Sequence, residues 1–441
     1  MKAPLIHCLT NAVTAPFVAD SVVALGGRPL MAEALGECAQ LAQAADGLLI
    51  NLGQLTEAKR RAILASLEAR QGRPWVLDPV GVGFFPERLA FAQHLMGFRP
   101  TCLRGNASEI WALATGGRSG SGTESDLQAP VAWEDVTRSL KAKEVCITQA
   151  GRGAGQRDLS LEGGQARWFA GGQPLMGQLA GFGCALSAAA ATLGSGAQAL
   201  ELFSQAGRAV QSIEVGAFRA DFISHLAQLA RRARVRRALP LCFVAGPQDC
   251  ADLPGVLRAA LAGGITCFQY RPKGIDGARA LELGQALRAL CAAAGVPFVV
   301  NDSVEMAQAL NADGVHLGQG DGCPVQARRA LGGQALIGLS VSLRAHWQTY
   351  AAQAVDYVGL GPFATTQTKP DARAPLGCSG LAALREGWAQ VPSLAIGGID
   401  LDSAAQALSS GVDGLAVIRA IAGAPDPRRA VESLKHKTLN L

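Results

Sequence analysis

The sequence predicts an α/β protein in two parts, an α/β domain with a mostly parallel sheet followed by a TIM (βα)8 barrel. Its 441 residues are about three times the ~150 residues of an average domain. Its 53 glycines against 14 Phe, 6 Trp and 3 Tyr favour close-turning α/β architecture over an aromatic-rich β-sandwich. In both halves, short apolar runs alternate with helical segments, which is the rhythm of repeated βα units.

A basic run marks the predicted boundary between the two parts. Residues 231–237 read Arg-Arg-Ala-Arg-Val-Arg-Arg and are followed by Leu239-Pro240, after which the spacing of glycines and strands changes. We therefore place the domains at residues 1–235 and 236–441. The run has no neighbouring aromatic residues, so we expect a solvated helix end and linker in preference to a grip on RNA or lipid.

Composition excludes several classes of protein. With 49% hydrophobic and 17% charged residues, the chain can fill packed cores and is not a solvated, disordered polymer. A net charge of +5, scattered apart from the basic run, does not favour nucleic acid as a partner but suits anionic small molecules. The 11 cysteines include no Cys-x-x-Cys pair, and no long apolar stretch is present. We expect a cytoplasmic protein with no membrane partner.

In the first half, polar residues follow the predicted strands. The strands fall at residues 48–53, 75–81, 102–105 and 145–148, with a helix at 57–70 between the first two. Ligands of open α/β sheets bind at the carboxyl ends of the strands. The residues at those ends are Asn51, Asp78, Arg104, Asn106 and Thr148.

A glycine-rich turn leads into an alanine-rich helix in the same half. Ala-Gly-Phe-Gly-Cys at 180–184 would expose backbone N–H groups to an anion at the helix N-terminus, and the helix dipole there lowers the pKa of a thiol. Cys184 occupies that position, although a buried cysteine that merely packs as a small hydrophobe is the simpler interpretation. No Gly-x-x-x-x-Gly-Lys-Ser/Thr motif is present, so a P-loop kinase is excluded.

The second half contains as many short apolar runs as a TIM barrel has strands. Alanine- and leucine-rich helical stretches such as 277–294 and 403–409 separate most of them, so each unit is βα and the array can close. The runs lie at residues 241–244, 266–269, 298–300, 314–317, 336–339, 357–360, 394–396 and 415–418.

Charged and glycine residues follow these barrel strands, where barrels place their active sites. Asp302 and Asp321 offer two hard oxygen ligands for Mg²⁺, and Arg271, Lys273 and Lys369 could neutralise a diphosphate. Backbone N–H groups at 397–399 and 418–419 would cradle a second phosphate. We expect His316 to be packed or hydrogen-bonded and not catalytic. Two phosphate sites in one mouth suggest a diphosphate leaving group and a phosphorylated acceptor.

Several segments of the second half form a recognisable set. They are Gln-Tyr-Arg-Pro-Lys (269–273), Asn-Asp-Ser (301–303), Asp-Gly-Val-His-Leu-Gly-Gln (313–319) with Asp321, Gly-Leu-Ser (338–340), 356–362, Thr-Gln-Thr-Lys (366–369) and Ala-Ile-Gly-Gly-Ile (395–399). With these segments the second half resembles the thiamine phosphate synthases. The resemblance implies that Asp302 and Asp321 hold Mg²⁺. It also implies that Gln269, Arg271, Lys273, Asn301, Ser340 and Lys369 bind the pyrimidine diphosphate, and that Thr366, Thr368, Gly398, Ile418 and Arg419 bind the thiazole phosphate.

The first half contains a second set of recognisable segments. They are Leu-Thr-Asn (9–11), 24–32, 49–53, Leu-Asp-Pro-Val-Gly-Val-Gly (77–83), Arg-Gly-Asn-Ala-Ser-Glu-Ile (104–110), 181–184 and 216–218. With these segments the first half resembles the hydroxyethylthiazole kinases, which have the ribokinase-like fold. The resemblance implies that Met31 and Gly181 line the thiazole site and that Arg104 and Thr148 face ATP. It further implies that Asp78 and Glu109 help to hold Mg²⁺, with Cys184 where the substrate hydroxyl is phosphorylated.

Together the two resemblances imply a fused thiamine salvage enzyme in which the first product is the second substrate, and a homo-oligomer. An alternative keeps only the synthase active and makes the first domain an oligomerising or ligand-sensing scaffold. It is prompted by Phe182 and Gln149, which replace small residues common in the kinases. A non-catalytic protein that binds nucleic acid through residues 231–237 is a third and remote hypothesis, which predicts steeply salt-dependent binding.

Overall fold

The chain folds into two compact units, Lys2–Ala230 and Arg231–Leu441. The structure, a computed structural model, describes residues 3–117, 131–151, 157–347, 354–365, 373–389 and 391–439. Both units are α/β, as predicted. Across these described ranges, none of the helices combines the length and apolar character needed to cross a membrane.

The first unit is built on one eight-stranded sheet within the described residues, with strand order β2-β1-β3-β4-β5-β6-β7-β8. Neighbours from β2 to β6 run parallel, which confirms the predicted mostly parallel sheet. The strands are β1 (Leu5–Leu9), β2 (Arg28–Leu30), β3 (Gly47–Asn51), β4 (Val76–Asp78), β5 (Cys102–Asn106), β6 (Glu144–Gly151), β7 (Arg157–Glu162) and β8 (Gln165–Ala170).

The last two strands, β7 and β8, form an antiparallel hairpin that the sequence reasoning missed. Gly163 and Gly164 join them, both with positive φ angles of 58° and 81°. A two-residue Gly-Gly connection between β-prone runs is a hairpin signal, because only glycine takes two consecutive positive φ angles at little cost. The signal was therefore present in the sequence.

Helices cover both faces of this sheet. On β3, Leu48 and Ile50 enter one hydrophobic cluster and Leu49 enters another, as alternation along a strand requires. The helices are α1 (Ala15–Ala24), α2 (Leu35–Ala44), α3 (Glu57–Arg70), α4 (Pro86–Leu95), α5 (Ala107–Thr115), α6 (Trp133–Val136), α7 (Leu175–Gln178), α8 (Phe182–Leu193), α9 (Gly196–Ala209) and α10 (Val215–Ala238), with 3-10 turns at Met96–Phe98 and Thr137–Ser139.

The second unit is a closed barrel of parallel strands in the order β10 to β16 and back to β9. Each predicted apolar run corresponds to one of them, which confirms the barrel. The strands are β9 (Leu241–Ala245), β10 (Cys267–Tyr270), β11 (Phe298–Asn301), β12 (Gly314–Leu317), β13 (Leu336–Val341), β14 (Tyr357–Leu360), β15 (Ser393–Ile396) and β16 (Gly414–Val417).

Helices follow most of these strands, so that the carboxyl ends of the strands face one rim. Two of them have the bounds that the sequence predicts or nearly so, α12 and α16. The helices are α11 (Leu253–Gly263), α12 (Gly277–Ala294), α13 (Val304–Ala309), α14 (Pro324–Leu331), α15 (Gly377–Glu386), α16 (Ala404–Leu408), α17 (Arg419–Ala422) and α18 (Pro427–Leu439), with a 3-10 turn at Arg344–Trp347.

The basic run forms the end of α10, but the expectation that it is solvated holds only in part. Arg236 and Arg237 are exposed, whereas Arg231 and Arg234 are half-buried. Arg231 Nε lies 3.1 Å from Asp356 Oδ1, and Arg328 pairs with the other oxygen of the same buried carboxylate. Arg234 donates to the carbonyl and side-chain oxygens of Gln334 at 3.0 and 2.8 Å. These arginines find acceptors within the barrel unit, and desolvating a cation is tolerated when its N–H groups are satisfied.

Asp356→Asn is expected to lower the free energy of unfolding of the barrel by about 3–5 kcal/mol, because the substitution leaves two buried guanidinium groups without their counter-charge. The side chain of Asp356 is 2% exposed, against 12% for Arg231 and 16% for Arg328. Urea unfolding of the full chain measures the loss. Glu432→Gln, in the exposed Arg428–Glu432 pair, is the control and should cost less than about 1 kcal/mol. Equal small losses in both variants would contradict the prediction.

Two candidate active sites at the strand ends

A cavity of about 520 Å³ opens at the carboxyl ends of the strands in the first unit. Arg104, Glu109, Thr148, Gly181 and Cys184 all line it, together with residues that were not predicted. Met31 does not line it and instead packs, half-buried, against a hydrophobic core cluster. The structure thus gathers most of the predicted residues of this half in one place.

Asp78, at the end of β4, is fully buried beside this cavity. Its Oδ2 accepts hydrogen bonds from Asn51 Nδ2 at 2.7 Å and from Ser187 Oγ at 2.9 Å. Its Oδ1 has no hydrogen-bond partner among the described residues and lies 3.8 Å from an Arg104 nitrogen. Burial raises the pKa of Asp78, and the charge of Arg104 opposes that rise. A buried carboxylate oxygen without a hydrogen bond is suited to receive a cation or its bound water.

Glu109 is the second buried carboxylate of this site. It closes a capping box at the start of α5, where its oxygens accept from the backbone N–H groups of Asn106 and Gly81, each at 2.9 Å. Burial, followed by the nearby charge of Asp78, raises its pKa to about 7. A buried carboxylate whose pKa is raised by the negative charge of a second carboxylate lies in a site that suits a divalent cation.

Cys184 lies in the first turn of α8, after Gly181 with its φ of 98°. Its Sγ accepts from Asn51 Nδ2 at 3.2 Å and Asn11 Nδ2 at 3.5 Å. Burial and then the charge of Asp78 raise the pKa of the thiol to about 11. The expectation that the helix N-terminus lowers this pKa is therefore wrong, because desolvation outweighs the helix dipole here.

The Phe182 side chain, which prompted the scaffold alternative, packs into the core. Its ring centroid lies 4.8 Å from that of Phe17, 4.9 Å from Phe222 and 5.8 Å from Phe218. Only 5% of the residue is exposed. The larger side chain is accommodated by the hydrophobic cluster behind the turn, while the backbone of the turn still faces the cavity.

Arg104 sits against the first turn of α8. A Cβ atom on Gly183 would lie 2.5 Å from an Arg104 nitrogen, so a larger residue there would displace the guanidinium. Arg104 also donates to Thr148 Oγ1 at 2.8 Å. Gln149, beside it, has a φ of 59° and donates its backbone N–H to Asp158 Oδ1 at 2.9 Å. The Arg104 guanidinium thus lies next to backbone N–H groups at the N-terminus of α8, and together these groups form a site suited to an anion.

Lys59 is a residue of this site that the sequence reasoning missed. Its ammonium is 3% exposed and donates to the carbonyl oxygens of Thr10, at 2.5 Å, and Gly53, at 3.1 Å. A signal existed, because Lys59 falls on the buried face of α3 with Ala62, Ile63 and Leu67. A lysine on an apolar helical face must find acceptors, and here it ties together the turns after β1 and β3.

In the barrel, Asp302 and Asp321 lie side by side at the rim. Their carboxyl groups share a hydrogen bond, and Lys273 Nζ lies 2.7 Å from Asp302 Oδ2. Burial works against ionisation of Asp302, yet the hydrogen bonds from Lys273 and Asp321 hold its pKa below the usual value. Burial and the adjacent Asp302 raise the pKa of Asp321. Two such coupled carboxylates fit a hard divalent cation.

The backbone of Asp302 is in the left-handed conformation, with a φ of 70°. This conformation turns the side chain away from the line of β11. Asp321 is oriented differently, by a hydrogen bond from the Gly318 N–H to its Oδ2 at 2.7 Å. The two carboxylates therefore meet because each is held by its own local turn.

The polar side chains along the inner wall of the barrel are hydrogen-bonded to each other. Gln269 Nε2 donates to Asn301 Oδ1 at 2.5 Å, and Ser340 Oγ lies 3.0 Å from His316 Nε2. His316 also contacts the Tyr357 hydroxyl at 3.2 Å, and burial lowers its pKa to about 4. A neutral, hydrogen-bonded His316 agrees with the expectation that it is not a catalytic base.

The remaining predicted barrel residues that the structure describes also follow the carboxyl ends of barrel strands. Arg271 follows β10, half-buried, and Ile418 precedes α17, whose first residue is Arg419. Gly397 and Gly398 have φ angles of 97° and 65°, and a Cβ on Gly398 would lie 2.6 Å from the carbonyl oxygen of Thr365, so this turn requires glycine. Three predicted residues, Thr366, Thr368 and Lys369, lie outside the described residues.

The chain matches two family models, one in each half. Residues 1–232 match the hydroxyethylthiazole kinase family, and residues 241–421 match the thiamine monophosphate synthase family. A relative from Symbiobacterium thermophilum, the thiamine biosynthesis bifunctional protein ThiM/ThiE, is 36% identical over 467 residues, covering 98% of this chain and 95% of the relative.

Other similar proteins correspond to single halves. The thiamine-phosphate synthase of Streptococcus suis is 41% identical over 204 residues, which is 45% of this chain and 89% of that protein. The solved structure of hydroxyethylthiazole kinase from Pyrococcus horikoshii is 26% identical with a TM-score of 0.43, covering 51% of this chain and 88% of that one.

Proposed function

Since the chain belongs to the hydroxyethylthiazole kinase family in its first half and to the thiamine monophosphate synthase family in its second, and is a bifunctional thiamine biosynthesis enzyme, we propose that each domain catalyses one of two consecutive reactions. The first domain phosphorylates hydroxyethylthiazole with ATP. The second joins this phosphate to hydroxymethylpyrimidine diphosphate, giving thiamine phosphate and diphosphate. The observation that most supports a working kinase is the Asp78–Arg104–Cys184 cluster beneath the first turn of α8.

In the kinase, Arg104 and Thr148 bind the phosphates of ATP, and Asp78 and Glu109 hold Mg²⁺. The orphaned Oδ1 of Asp78 and the raised pKa of Glu109 both favour a cation there. When bound, Mg²⁺ neutralises phosphate charge. The N–H groups after Gly181 stabilise the transferred phosphoryl group. Cys184, in the first turn of α8, lies where the substrate hydroxyl is phosphorylated and orients that hydroxyl. Met31 is assigned to the thiazole by resemblance alone.

In the synthase, Asp302 and Asp321 hold Mg²⁺, which neutralises diphosphate charge when bound. Arg271, Lys273 and Lys369 bind the diphosphate, while Gln269, Asn301 and Ser340 orient the pyrimidine. Thr366, Thr368, Gly398, Ile418 and Arg419 bind the thiazole phosphate. The bond from the pyrimidine methylene to the diphosphate oxygen breaks, and the thiazole nitrogen forms the new bond to that carbon. The protein supplies charge neutralisation and positioning.

We also propose domains at residues 1–235 and 236–441, a cytoplasmic location and a homo-oligomer. Eleven cysteines without a disulfide suit a reducing compartment. Phe84 and Phe85 are 52% and 40% exposed, and such apolar side chains are commonly covered in an assembly. No observation favours the alternative in which the kinase domain is only a scaffold.

A coupled assay on the full chain tests the proposed function. Hydroxyethylthiazole, ATP and pyrimidine diphosphate together should yield thiamine phosphate, and so should thiazole phosphate supplied directly with pyrimidine diphosphate. Product from the second mixture alone would remove the kinase from the proposal and leave the synthase. Absence of product from both would contradict it entirely.

Lys59→Met is expected to raise the KM for hydroxyethylthiazole about tenfold, with a smaller change in kcat, because two charge-assisted hydrogen bonds that fix the turns at the cavity are lost. Steady-state kinetics at saturating ATP separates the two parameters. Lys143→Met, in an exposed ion pair with Glu162, should change neither. A kcat loss with an unchanged KM would contradict this positioning role.

A further inference from the structure

Three buried side chains with metal-ligating atoms lie near the amino-terminal ends of two interior strands of the first sheet, β5 and β6. Cys102 begins β5 and Glu144 begins β6, and the two are register partners. Cys146 lies two residues after Glu144 and therefore on the same face of the sheet. Their potential ligand atoms all lie within 4.8 Å of one another. Asp78 and Asn106, by contrast, lie at the carboxyl ends of β4 and β5.

The distances suit a bound cation better than a disulfide. The two sulfur atoms are 4.0 Å apart, and Cys146 Sγ is 3.5 Å from Glu144 Oε1. A disulfide would require the sulfurs at about 2.05 Å. Two metal–sulfur bonds of about 2.3 Å at a tetrahedral angle place the sulfurs about 3.8 Å apart. The observed spacing therefore needs an adjustment of only about 0.2 Å for an ion bound by both sulfurs.

The Glu144 carboxylate is held in place by its surroundings. It accepts hydrogen bonds from Ser160 Oγ at 2.8 Å and from the backbone N–H groups of Gly196 and Ala197 at 2.7 and 2.6 Å. Metal-bound carboxylates are commonly oriented by such outer hydrogen bonds. The N–H donors belong to the first turn of α9, a 14-residue helix whose positive end offsets the negative charge of the ligands.

Glycine at position 196 is a condition for this arrangement. A Cβ atom there would lie 2.3 Å from Cys146 Sγ and 2.8 Å from Cys102 Sγ. Only a glycine allows the helix start to lie directly on both sulfurs and the carboxylate. The first turn of α9 is thus shaped around the three ligands.

We propose that Cys102, Cys146 and Glu144 form a binding site for a soft cation of the zinc class, separate from the two Mg²⁺ sites. The ion would join β5, β6 and the start of α9 and so stabilise the first domain. Hydrogen bonding with Cys102 and then burial raise the pKa of Cys146 well above its usual value.

Titration of the reduced, metal-free full chain with Cd²⁺ tests the site, followed by the ultraviolet charge-transfer band of the cadmium–thiolate bond. We expect one ion per chain in the wild type, loss of the band in Cys102→Ser and Cys146→Ser, and binding at least tenfold weaker in Glu144→Gln. Cys267→Ser, in the second buried cysteine pair with Cys242, is the matched control and should keep the band. A band that survives in both Cys102→Ser and Cys146→Ser would overturn the proposal.

A second measurement avoids substitutions that destabilise the fold. Zn²⁺ should slow the alkylation of Cys102 and Cys146 in the wild-type chain, as resolved by mass spectrometry of the peptides, and leave the rate at Cys291 unchanged. Equal rates with and without Zn²⁺ at Cys102 and Cys146 would overturn the proposal. The proposal does not depend on either catalytic activity, so it can fail while the proposed function stands.

Discussion

Asp302→Asn is expected to reduce thiamine phosphate synthesis by at least about 10²-fold, because the variant loses a charge from the proposed Mg²⁺ site and the partner of Lys273. Asparagine has the same shape and tolerates the left-handed backbone at this position, so the fold should be retained. The assay supplies thiazole phosphate and pyrimidine diphosphate directly and measures the release of diphosphate.

The same chain contains its own control for this variant, since phosphorylation of hydroxyethylthiazole by the first domain should be unchanged. Asp426→Asn is the matched substitution, because Asp426 accepts a hydrogen bond from the Arg429 N–H near the start of α18 and asparagine serves equally well there. Synthase activity within threefold of the wild type in Asp302→Asn would remove Asp302 from the metal site.

Arg104→Met is expected to reduce hydroxyethylthiazole phosphorylation by about 10³-fold, because it removes the cation that lies against the first turn of α8 and faces the ATP phosphates in the proposed mechanism. Arg104→Lys retains a charge but loses the two-pronged geometry, so we expect a smaller loss, about tenfold. Phosphorylation is followed by ADP formation at saturating substrate.

In Arg104→Met, unfolding of the first domain must be distinguished from loss of catalysis, since Arg104 also faces the buried Asp78. Urea unfolding and the unchanged synthase activity of the second domain provide that check. Thr148→Val, which removes the hydroxyl that Arg104 contacts, should give an intermediate loss. Wild-type kinase activity in a folded Arg104→Met chain would contradict the assignment.

The sequence predicted the fold of the barrel better than that of the first unit. Regular βα units leave a periodic pattern, so β12 and β14 have the bounds that the sequence predicts. Short or irregular elements leave weaker patterns, and β2 and the β7–β8 hairpin were missed. The arginines at the end of α10 were misjudged because the buried acceptor, Asp356, lies far away in the sequence.

At the candidate sites, too, the sequence predicted positions along the strands better than contacts between residues that are distant in the sequence. Position at a strand end predicted that Asp302 and Asp321 would share a rim, and the structure brings them together. Sequence alone could not predict the pKa of Cys184, which depends on burial and on Asp78 across the fold. Lys59 was missed because its acceptors are backbone carbonyl groups, which no sequence motif records.

The left-handed backbone of Asp302 carries a thermodynamic penalty of about 1 kcal/mol for a residue with a side chain, and glycine would not incur it. Directed evolution that selects only for heat resistance would therefore favour glycine at position 302. Such variants would lose the carboxylate that is proposed to hold Mg²⁺, so a thermostability screen of this enzyme should also select for synthase turnover.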